Sequence, residues 1–154
     1  MANGSREALL EDNKAIRARW EHFHHEADIG IRGVGPDLET AFQQAALAMT
    51  AVICEPSRVR PVTEMTLVCD GADEEFLLIN WIDSLVYAMA TRRMLFSGFD
   101  VVIEHLRLTA RVWGETIDMA RHQPAVEIKG ATLTGLRVCR DDAGACVAEC
   151  VVDV

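Results

Sequence analysis

The segment from His22 to Asp28 places three histidines and two carboxylates within seven residues, and all of these side chains can bind a metal ion. In an extended strand, His22 and His24 would point to one face and His25 to the other. Three histidines therefore cannot reach one ion unless the chain bends. The alternative interpretation is a group of surface and half-buried histidines, with Asp28 in a turn.

The end of the chain is a second place where a cation could bind. Asp153 lies between Val152 and Val154, beside the terminal carboxylate. A carboxylate among valines is costly to desolvate unless water, a basic side chain or a cation meets it. A frayed, solvated terminus explains the same pattern. The segment alone therefore does not distinguish a cation site from an ordinary chain end.

Lys129 is one of only two lysines in a chain that has many arginines. If residues 141–144 form the turn of a simple hairpin, Thr132 faces Asp153 and Lys129 lies near the terminus. Regular alternation would point Lys129 to the face opposite Asp153, unless a bulge at a nearby glycine changes the alternation. The alternative is an exposed lysine that pairs with Glu127.

The composition indicates one acidic domain. The chain has 154 residues, half of them hydrophobic, which is enough for a single sizeable core. Its formal charge of −9 opposes tight binding of this chain to a phosphate backbone.

The N-terminal region does not resemble a signal peptide and no stretch is long enough to span a membrane, so we expect a cytoplasmic protein with no membrane partner. The five cysteines lack a Cys-x-x-Cys pair, and we expect free thiols.

The hydrophobic periodicity predicts two helices among several strands. Asp37 and Asp73 are suitable N-caps, and the apolar residues after them predict helices that end near Glu55 and Arg93. Gly114 to Gln123 is predicted to be a loop. The segments predicted as strands are Trp20 to Val34, Pro61 to Cys69, Phe99 to Glu104, Leu106 to Trp113, Val126 to Val138 and Ala145 to Val154.

These elements predict an α+β domain of two layers, in which both helices pack on one face of a mixed, mainly antiparallel sheet. We assign the domain to residues 20–154. Residues 1–19 are predicted to be an N-terminal extension that is either frayed or a loosely docked helix.

The sequence resembles the archease family in several segments. His25-Glu26-Ala27-Asp28-Ile29-Gly30 is similar to the family's opening signature, His-Thr-Ala-Asp-Ile-Gly, with Glu26 in place of threonine. The further segments that match, in order, are Ala45 to Met49, Leu77 to Trp81, Leu85 to Tyr87, Leu95 to Ser97, Gly114-Glu115, Asp118, Arg121-His122, Glu127 to Lys129 and Val152 to Val154. The similarity extends from about His22 to the last residue, and Asn80 and Gly130 depart from the family pattern.

The resemblance implies an accessory protein and not an enzyme. Archeases promote guanylylation of the GTP-dependent RtcB-type RNA ligase and sustain its turnover in tRNA splicing and RNA repair. In the family, the signature aspartate and the C-terminal aspartate bind a cation, which implies Asp28 and Asp153, with the Val154 carbonyl or terminal carboxylate as a third donor. A lysine needed for activation corresponds to Lys129, and we expect His25 to position the strand end or to contact the ligase.

A site made of two carboxylates and a main-chain oxygen suits a hard divalent cation such as Ca²⁺, Mg²⁺ or Mn²⁺. RNA would then be contacted only through the ligase. Three alternatives stay open: a stand-alone metal-dependent enzyme for phosphate chemistry, an RNA chaperone, and a transition-metal site in which His22, His24 or His25 binds the ion together with Asp28.

Overall fold

The computed structural model describes residues 16–154 of the chain. The strands are β1 Arg19–His25, β2 Asp28–Gly35, β3 Thr63–Asp70, β4 Met94–Glu104, β5 Arg107–Thr116, β6 Gly130–Ala131, β7 Arg137–Arg140 and β8 Cys146–Asp153. The helices are α1 Leu38–Ile53, α2 Glu74–Arg92 and the short α3 Met119–His122, with a 3-10 turn at Pro56–Arg58. Most of the predicted N-terminal extension lies outside the described residues.

The two long helices begin at the N-caps that the sequence predicts. The Asp37 carboxylate accepts a hydrogen bond from the Thr40 N–H at 2.8 Å, and the Asp73 carboxylate accepts one from the Phe76 N–H at 2.8 Å. Each cap satisfies an amide that has no partner within its own helix. Helix α2 ends at Arg93, which has a left-handed backbone conformation with φ 52°.

The strands form two antiparallel sheets, so the predicted α+β class is confirmed, although the strands do not lie in one sheet. The larger sheet has the order β1-β2-β8-β6, and β7 also pairs with β8. The smaller sheet has the order β3-β5-β4. Sequence periodicity identifies strands but does not say which strands pair, because pairing depends on contacts between residues that are distant in sequence.

Helix α1 packs directly on β2. At Gly33, a Cβ atom would lie inside van der Waals contact of the Ala41 carbonyl oxygen, so only glycine allows this close approach. The residues of β2 and β8 that face this helix are fully buried, among them Ile31, Cys150 and Val152. The core is completed by Trp81 of α2, whose indole N–H donates to the Phe42 carbonyl oxygen at 3.0 Å.

Three local predictions differ from the structure. The segment from Trp20 to Val34, predicted as one strand, is a hairpin of two strands that turns at Glu26 and Ala27. The predicted loop after Gly114 contains the end of β5 and helix α3. The predicted strand from Val126 to Val138 is paired only in β6 and β7, because the chain between them forms a turn in which Gly135 has φ 63°.

No helix within residues 16–154 is long and apolar enough to cross a membrane. All five cysteines are free thiols, as predicted. Burial raises the pKa of the Cys150 thiol to about 12 and that of the Cys69 thiol to about 11, so both are protonated at neutral pH.

Candidate cation site at the end of the larger sheet

The two aspartates of the predicted cation site are brought together by the pairing of β2 with β8. The last pair of this antiparallel ladder is Ile29 with Val152, and the next position on the two strands is occupied by Asp28 and Asp153. Neighbouring strands lie about 4.8 Å apart, so the two side chains start from adjacent positions. Both aspartates are exposed to solvent.

Asp28 and Asp153 also share a face of the sheet, because directly opposed residues in an antiparallel ladder point the same way. Ile29 and Val152 point toward the helices, so the aspartates point to the face that lies away from α1. His25 pairs with Asp28 on the other side of β2. His25, Asp28 and Asp153 therefore form one row across the end of the sheet.

The turn before β2 fixes the start of this row. Glu26 has φ 56°, a left-handed conformation that allows β1 to reverse into β2 within two residues. Asp28 is consequently the first residue of β2, and Asp153 is the last residue of β8. The backbone of each aspartate is fixed by strand pairing, since Asp28 pairs with His25 and Asp153 pairs with Gly130.

The row of carboxylates has no positive side chain of its own. Within residues 16–154, neither Asp28 nor Asp153 forms an ion pair with lysine or arginine. Val154, which follows directly, is 43% exposed and its carbonyl oxygen lies next to Asp153 in the chain. These oxygens are donors for a hard divalent cation, and the small number of protein ligands leaves coordination positions for water or a partner group.

Two of the three histidines in the alternative metal site point away from Asp28. The His22 Nε2 atom lies 2.7 Å from the Ala48 carbonyl oxygen of α1, so this ring faces the helix layer. His24 alternates with His25 and points to the same side as His22. In the part of the chain that the structure describes, no three side chains of histidine, cysteine, aspartate or glutamate are arranged to bind a metal ion. His25 is the one of these three histidines that lies beside Asp28, so the donors at this sheet end are the two carboxylates, His25 and the Val154 carbonyl oxygen.

Lys129 is tied to the site through its backbone. Its N–H donates to the Asp153 carbonyl oxygen at 2.8 Å, and Gly130 pairs with Asp153. The predicted pairing of Thr132 with Asp153 is therefore wrong by two residues, because the turn after β6 uses more chain than a simple hairpin does. The Lys129 side chain is exposed and forms no ion pair with Glu127 or any other described residue.

A third carboxylate close to the terminus, that of Asp83, was missed by the sequence analysis. Its Oδ1 atom accepts a hydrogen bond from the Ala131 N–H at 2.9 Å and lies 3.1 Å from where a Cβ atom on Gly130 would be. Asp83 therefore fixes β6 beside Asp153. The one signal in the sequence was an acidic residue among the mostly apolar residues of α2.

Glu149, on the same face of β8 as Asp153, is neutralised within the chain. Its side chain is almost fully buried, and it accepts hydrogen bonds from the Arg32 Nε at 2.5 Å and from the Arg137 Nε at 2.8 Å. Arg32 pairs directly with Glu149 in the ladder, also contacts Glu21, and lies over the Phe23 ring. The desolvated acid is thus fully compensated.

A second polar cluster, at the end of β5, contains residues that match the family but are distant in sequence from the aspartates. The Glu115 carboxylate accepts hydrogen bonds from the Arg121 guanidinium, the Arg60 N–H and the His122 Nε2, and these donors lower its pKa to about 2. The fully buried His122 accepts at Nδ1 from the Asp118 N–H. The cluster connects β5 to α3 and has a structural role.

Comparison with known proteins identifies the family. The model of the Archease protein family matches residues 20–154. Protein archease of Pyrococcus abyssi is 34% identical over 140 residues, covering 88% of this chain and 99% of that protein. Protein archease of Sulfurisphaera tokodaii is 38% identical over 122 residues, covering 78% and 88%. The chain belongs to the archease family.

A solved archease-like fold supports the same assignment. The solution structure of protein 1598 of Methanobacterium thermoautotrophicum has a TM-score of 0.71 and 28% sequence identity, covering 88% of this chain and 98% of that one. The archease match includes both ends of the row described above, from the β1–β2 hairpin to Val154.

Proposed function

We propose that this archease family member is an accessory protein that activates an RtcB-type, GTP-dependent RNA ligase by promoting its guanylylation and repeated turnover. It would act in tRNA splicing and RNA repair in the cytoplasm and would not itself join RNA. The observation that carries the proposal is the row of two exposed carboxylates, Asp28 and Asp153, without any neutralising side chain from the described residues. The formal charge of −9 supports contact with RNA through the ligase only.

In this proposal Asp28, Asp153 and either the Val154 carbonyl or a terminal carboxylate hold a hard divalent cation such as Ca²⁺, Mg²⁺ or Mn²⁺. Bound there, the cation would supply positive charge to a phosphate or carboxylate of the partner. The chain contributes oxygen ligands on a rigid ladder and leaves the remaining coordination positions open.

Two further residues are assigned to the partner side of the site. Lys129 is exposed, forms no ion pair within the described residues and directly precedes Gly130, which pairs with Asp153. Its ammonium group is therefore available for a phosphate or a ligase carboxylate. His25 lies next to Asp28 in the row and is exposed, so it can position the strand end or contact the ligase.

Guanylylation of a purified RtcB-type ligase with radiolabelled GTP tests the proposal. We expect the wild-type chain to raise the guanylylated fraction and the number of turnovers, and Asp28→Asn, Asp153→Asn and Lys129→Ala to lose most of this effect. Asp142→Asn is the matched control, because Asp142 is an exposed carboxylate on the turn between β7 and β8. Equal stimulation by all four variants would reject the assignment of these residues.

Two control measurements separate this role from its alternatives. Turnover of nucleotides or RNA ends by the chain without ligase would instead support a stand-alone enzyme. Binding of RNA that weakens steeply as salt is added would support an RNA chaperone.

A further inference from the structure

The smaller sheet has two outer strands, β3 and β4, and they differ in how far their edge backbone groups are hydrogen-bonded by other parts of the chain. On β4, helix α1 covers the edge and supplies partners: the Val101 N–H donates to the Gln43 Oε1 at 3.0 Å, and the Phe96 carbonyl oxygen accepts from the Thr50 hydroxyl at 2.8 Å. On β3, a side-chain partner is found only at the end, where the Asp70 carbonyl oxygen accepts from the Asn80 amide at 2.7 Å. The edge of β3 is therefore largely unpaired in the described part of the chain.

The pairing with β5 shows which peptide groups of β3 are free. The ladder is regular from Thr63 to Asp70, and it continues with the Gly71 N–H donating to the Leu106 carbonyl oxygen. Because hydrogen-bonded pairs alternate in an antiparallel ladder, the odd-numbered residues of β3 bond to β5. The N–H and C=O groups of the even-numbered residues point outward. At Glu64, Thr66 and Val68 both groups are without a partner in the described residues, and at Asp70 the N–H group is also without one.

This edge is the wall of a groove. The groove has a volume of about 770 Å³ and lies between β3 and α2. It is lined by the consecutive residues Met65 to Asp70, so it follows the strand edge and not one face of the sheet. Two large apolar side chains are exposed beside it: Val68 is 56% exposed and Tyr87 of α2 is 72% exposed.

Strand β3 has the charged residues Glu64 and Asp70 near its two ends, but it lacks the other features that usually prevent an edge from pairing with another chain. Exposed edges are commonly protected by lysine, proline or a bulge. The sequence from Thr63 to Asp70 contains neither lysine nor proline, and its register with β5 has no bulge. Free peptide groups of this kind are satisfied by an extended peptide, whereas a helix has no unpaired peptide groups to offer along its length.

The charges around the groove indicate which extended peptide would fit. Helix α2 has Glu74 and Glu75 in its first turn and Asp83 in the groove wall, and it has no lysine or arginine before Arg92. The Asp70 carboxylate is paired with Arg107, so it is Glu74, Glu75 and Asp83 that make this end of the groove acidic. Arg92 lies at the opposite end, near Met65. Asp83 also bonds to Ala131, beside the residue that pairs with Asp153. The acidic end of the groove therefore lies close to the candidate cation site.

We propose that β3 binds an extended segment of the protein partner by strand addition, with apolar side chains over Met65 and Leu67 and a basic residue at the Asp70 and Asp83 end. The partner is the ligase of the proposed function, on which this inference rests. The added strand makes β3 the second strand of a four-stranded sheet, and its main-chain bonds provide affinity while the acidic end fixes its direction.

Amide hydrogen exchange, followed by NMR on the labelled chain with and without the purified ligase, tests strand addition directly. In the free protein we expect slow exchange at Met65, Leu67 and Cys69 and fast exchange at Thr66 and Val68. Ligase should slow exchange at Thr66 and Val68 selectively. Unchanged exchange at these two amides in a saturated complex would overturn the proposal, as would protection that appears without ligase and increases with the concentration of this chain, which would indicate a second copy on the edge.

Variants of Val68 give an independent readout. Val68→Pro removes an outward N–H and leaves the bonds to β5 intact, and Val68→Lys places a charge at the edge without changing the backbone. We expect each to weaken ligase binding about tenfold. Val102→Lys is the matched control, because Val102 is 51% exposed on the same sheet but away from this edge, and it should bind normally.

The outcomes for the two proposals differ. If Val68→Pro fails to fold, Val68→Lys decides, and wild-type affinity for Val68→Lys would overturn strand addition. If Asp28→Asn and Asp153→Asn abolish activation while both Val68 variants bind normally, the proposed function stands and this inference fails. If the wild-type chain neither binds nor activates the ligase, the proposed function itself fails.

Discussion

Strand β8 has two acidic residues on the same face, and the molecule treats them in opposite ways. Glu149 is 6% exposed and is compensated by Arg32 and Arg137, whereas Asp153 is exposed and is opposed across the ladder by another acid, Asp28. Strands β2 and β8 thus place an arginine, Arg32, beside the buried acid. They place no basic residue beside the exposed acid at the sheet end. Glu149 thus stabilises the fold, whereas Asp28 and Asp153 are the residues to which the proposed function assigns an external cation.

Removing Arg32, which neutralises Glu149, should have the largest effect on the free energy of unfolding. Arg32→Ala leaves the buried Glu149 with only Arg137, which is itself mostly exposed, and we expect the free energy of unfolding to fall by about 3 kcal/mol. Urea unfolding followed by circular dichroism measures this. Arg107→Ala is the control, because the Arg107–Asp70 pair is exposed and should contribute less than about 1 kcal/mol. Equal losses in the two variants would contradict the structural role of Arg32.

Supplying the external cation should stabilise the fold by a comparable but smaller amount. At a Ca²⁺ or Mn²⁺ concentration about 100 times the dissociation constant, binding to the folded state adds about 2.7 kcal/mol. We expect thermal unfolding of the wild-type chain to shift upward with added cation and that of Asp28→Asn and Asp153→Asn to be unaffected. A shift retained by both variants would place the cation elsewhere.

Glu115 is a neutralised acid in the smaller sheet, and its contribution to stability should depend on pH. Hydrogen bonds from Arg121, Arg60 and His122 lower the pKa of Glu115 to about 2 in the folded state, below its ordinary value of about 4.5. The stabilisation is complete above pH 4.5 and is lost as the pH falls toward 2. Urea midpoints measured across this range should fall more steeply for the wild type than for Glu115→Gln. Parallel curves would show that the Glu115 cluster does not contribute.

The smallest effect is expected from the aspartate pair without a cation. Like charges directly opposite each other in a ladder are destabilising, so Asp153→Asn should raise the free energy of unfolding in EDTA by about 0.5 kcal/mol. Asp142→Asn, on an exposed turn, should change it much less. A loss of stability in Asp153→Asn would mean that this carboxylate has a structural partner and belongs with Glu149.

The sequence was most informative where structure depends on local chemistry. Asp37 and Asp73 predict the starts of α1 and α2 because an N-cap acts within four residues. The alternation of Leu108, Ala110 and Val112 with polar residues predicts β5 for the same kind of reason. These interactions involve residues that are close in the chain, so a short stretch of sequence is enough to predict the helix starts and the strand.

Prediction was weaker where distant segments meet. The register between β6 and β8 could not be read from the Asp141–Gly144 turn, because the additional turn between β6 and β7 shifts the pairing with β8 by three residues. Asp83 was missed because only the packing of α2 brings it to β6. The meeting of Asp28 with Asp153 followed in the sequence analysis from family resemblance alone, and it is the pairing of β2 with β8 that gives it a structural basis.

The most direct test of the cation site is the anomalous scattering of Mn²⁺ in crystals of the wild-type chain. We predict one strong peak at the end of the larger sheet, in contact with carboxylate oxygens of both Asp28 and Asp153 and absent from crystals of Asp28→Asn. A wild-type peak that contacts only one of these aspartates, or that lies among His22 and His24 on the helix side of β1, would contradict the account.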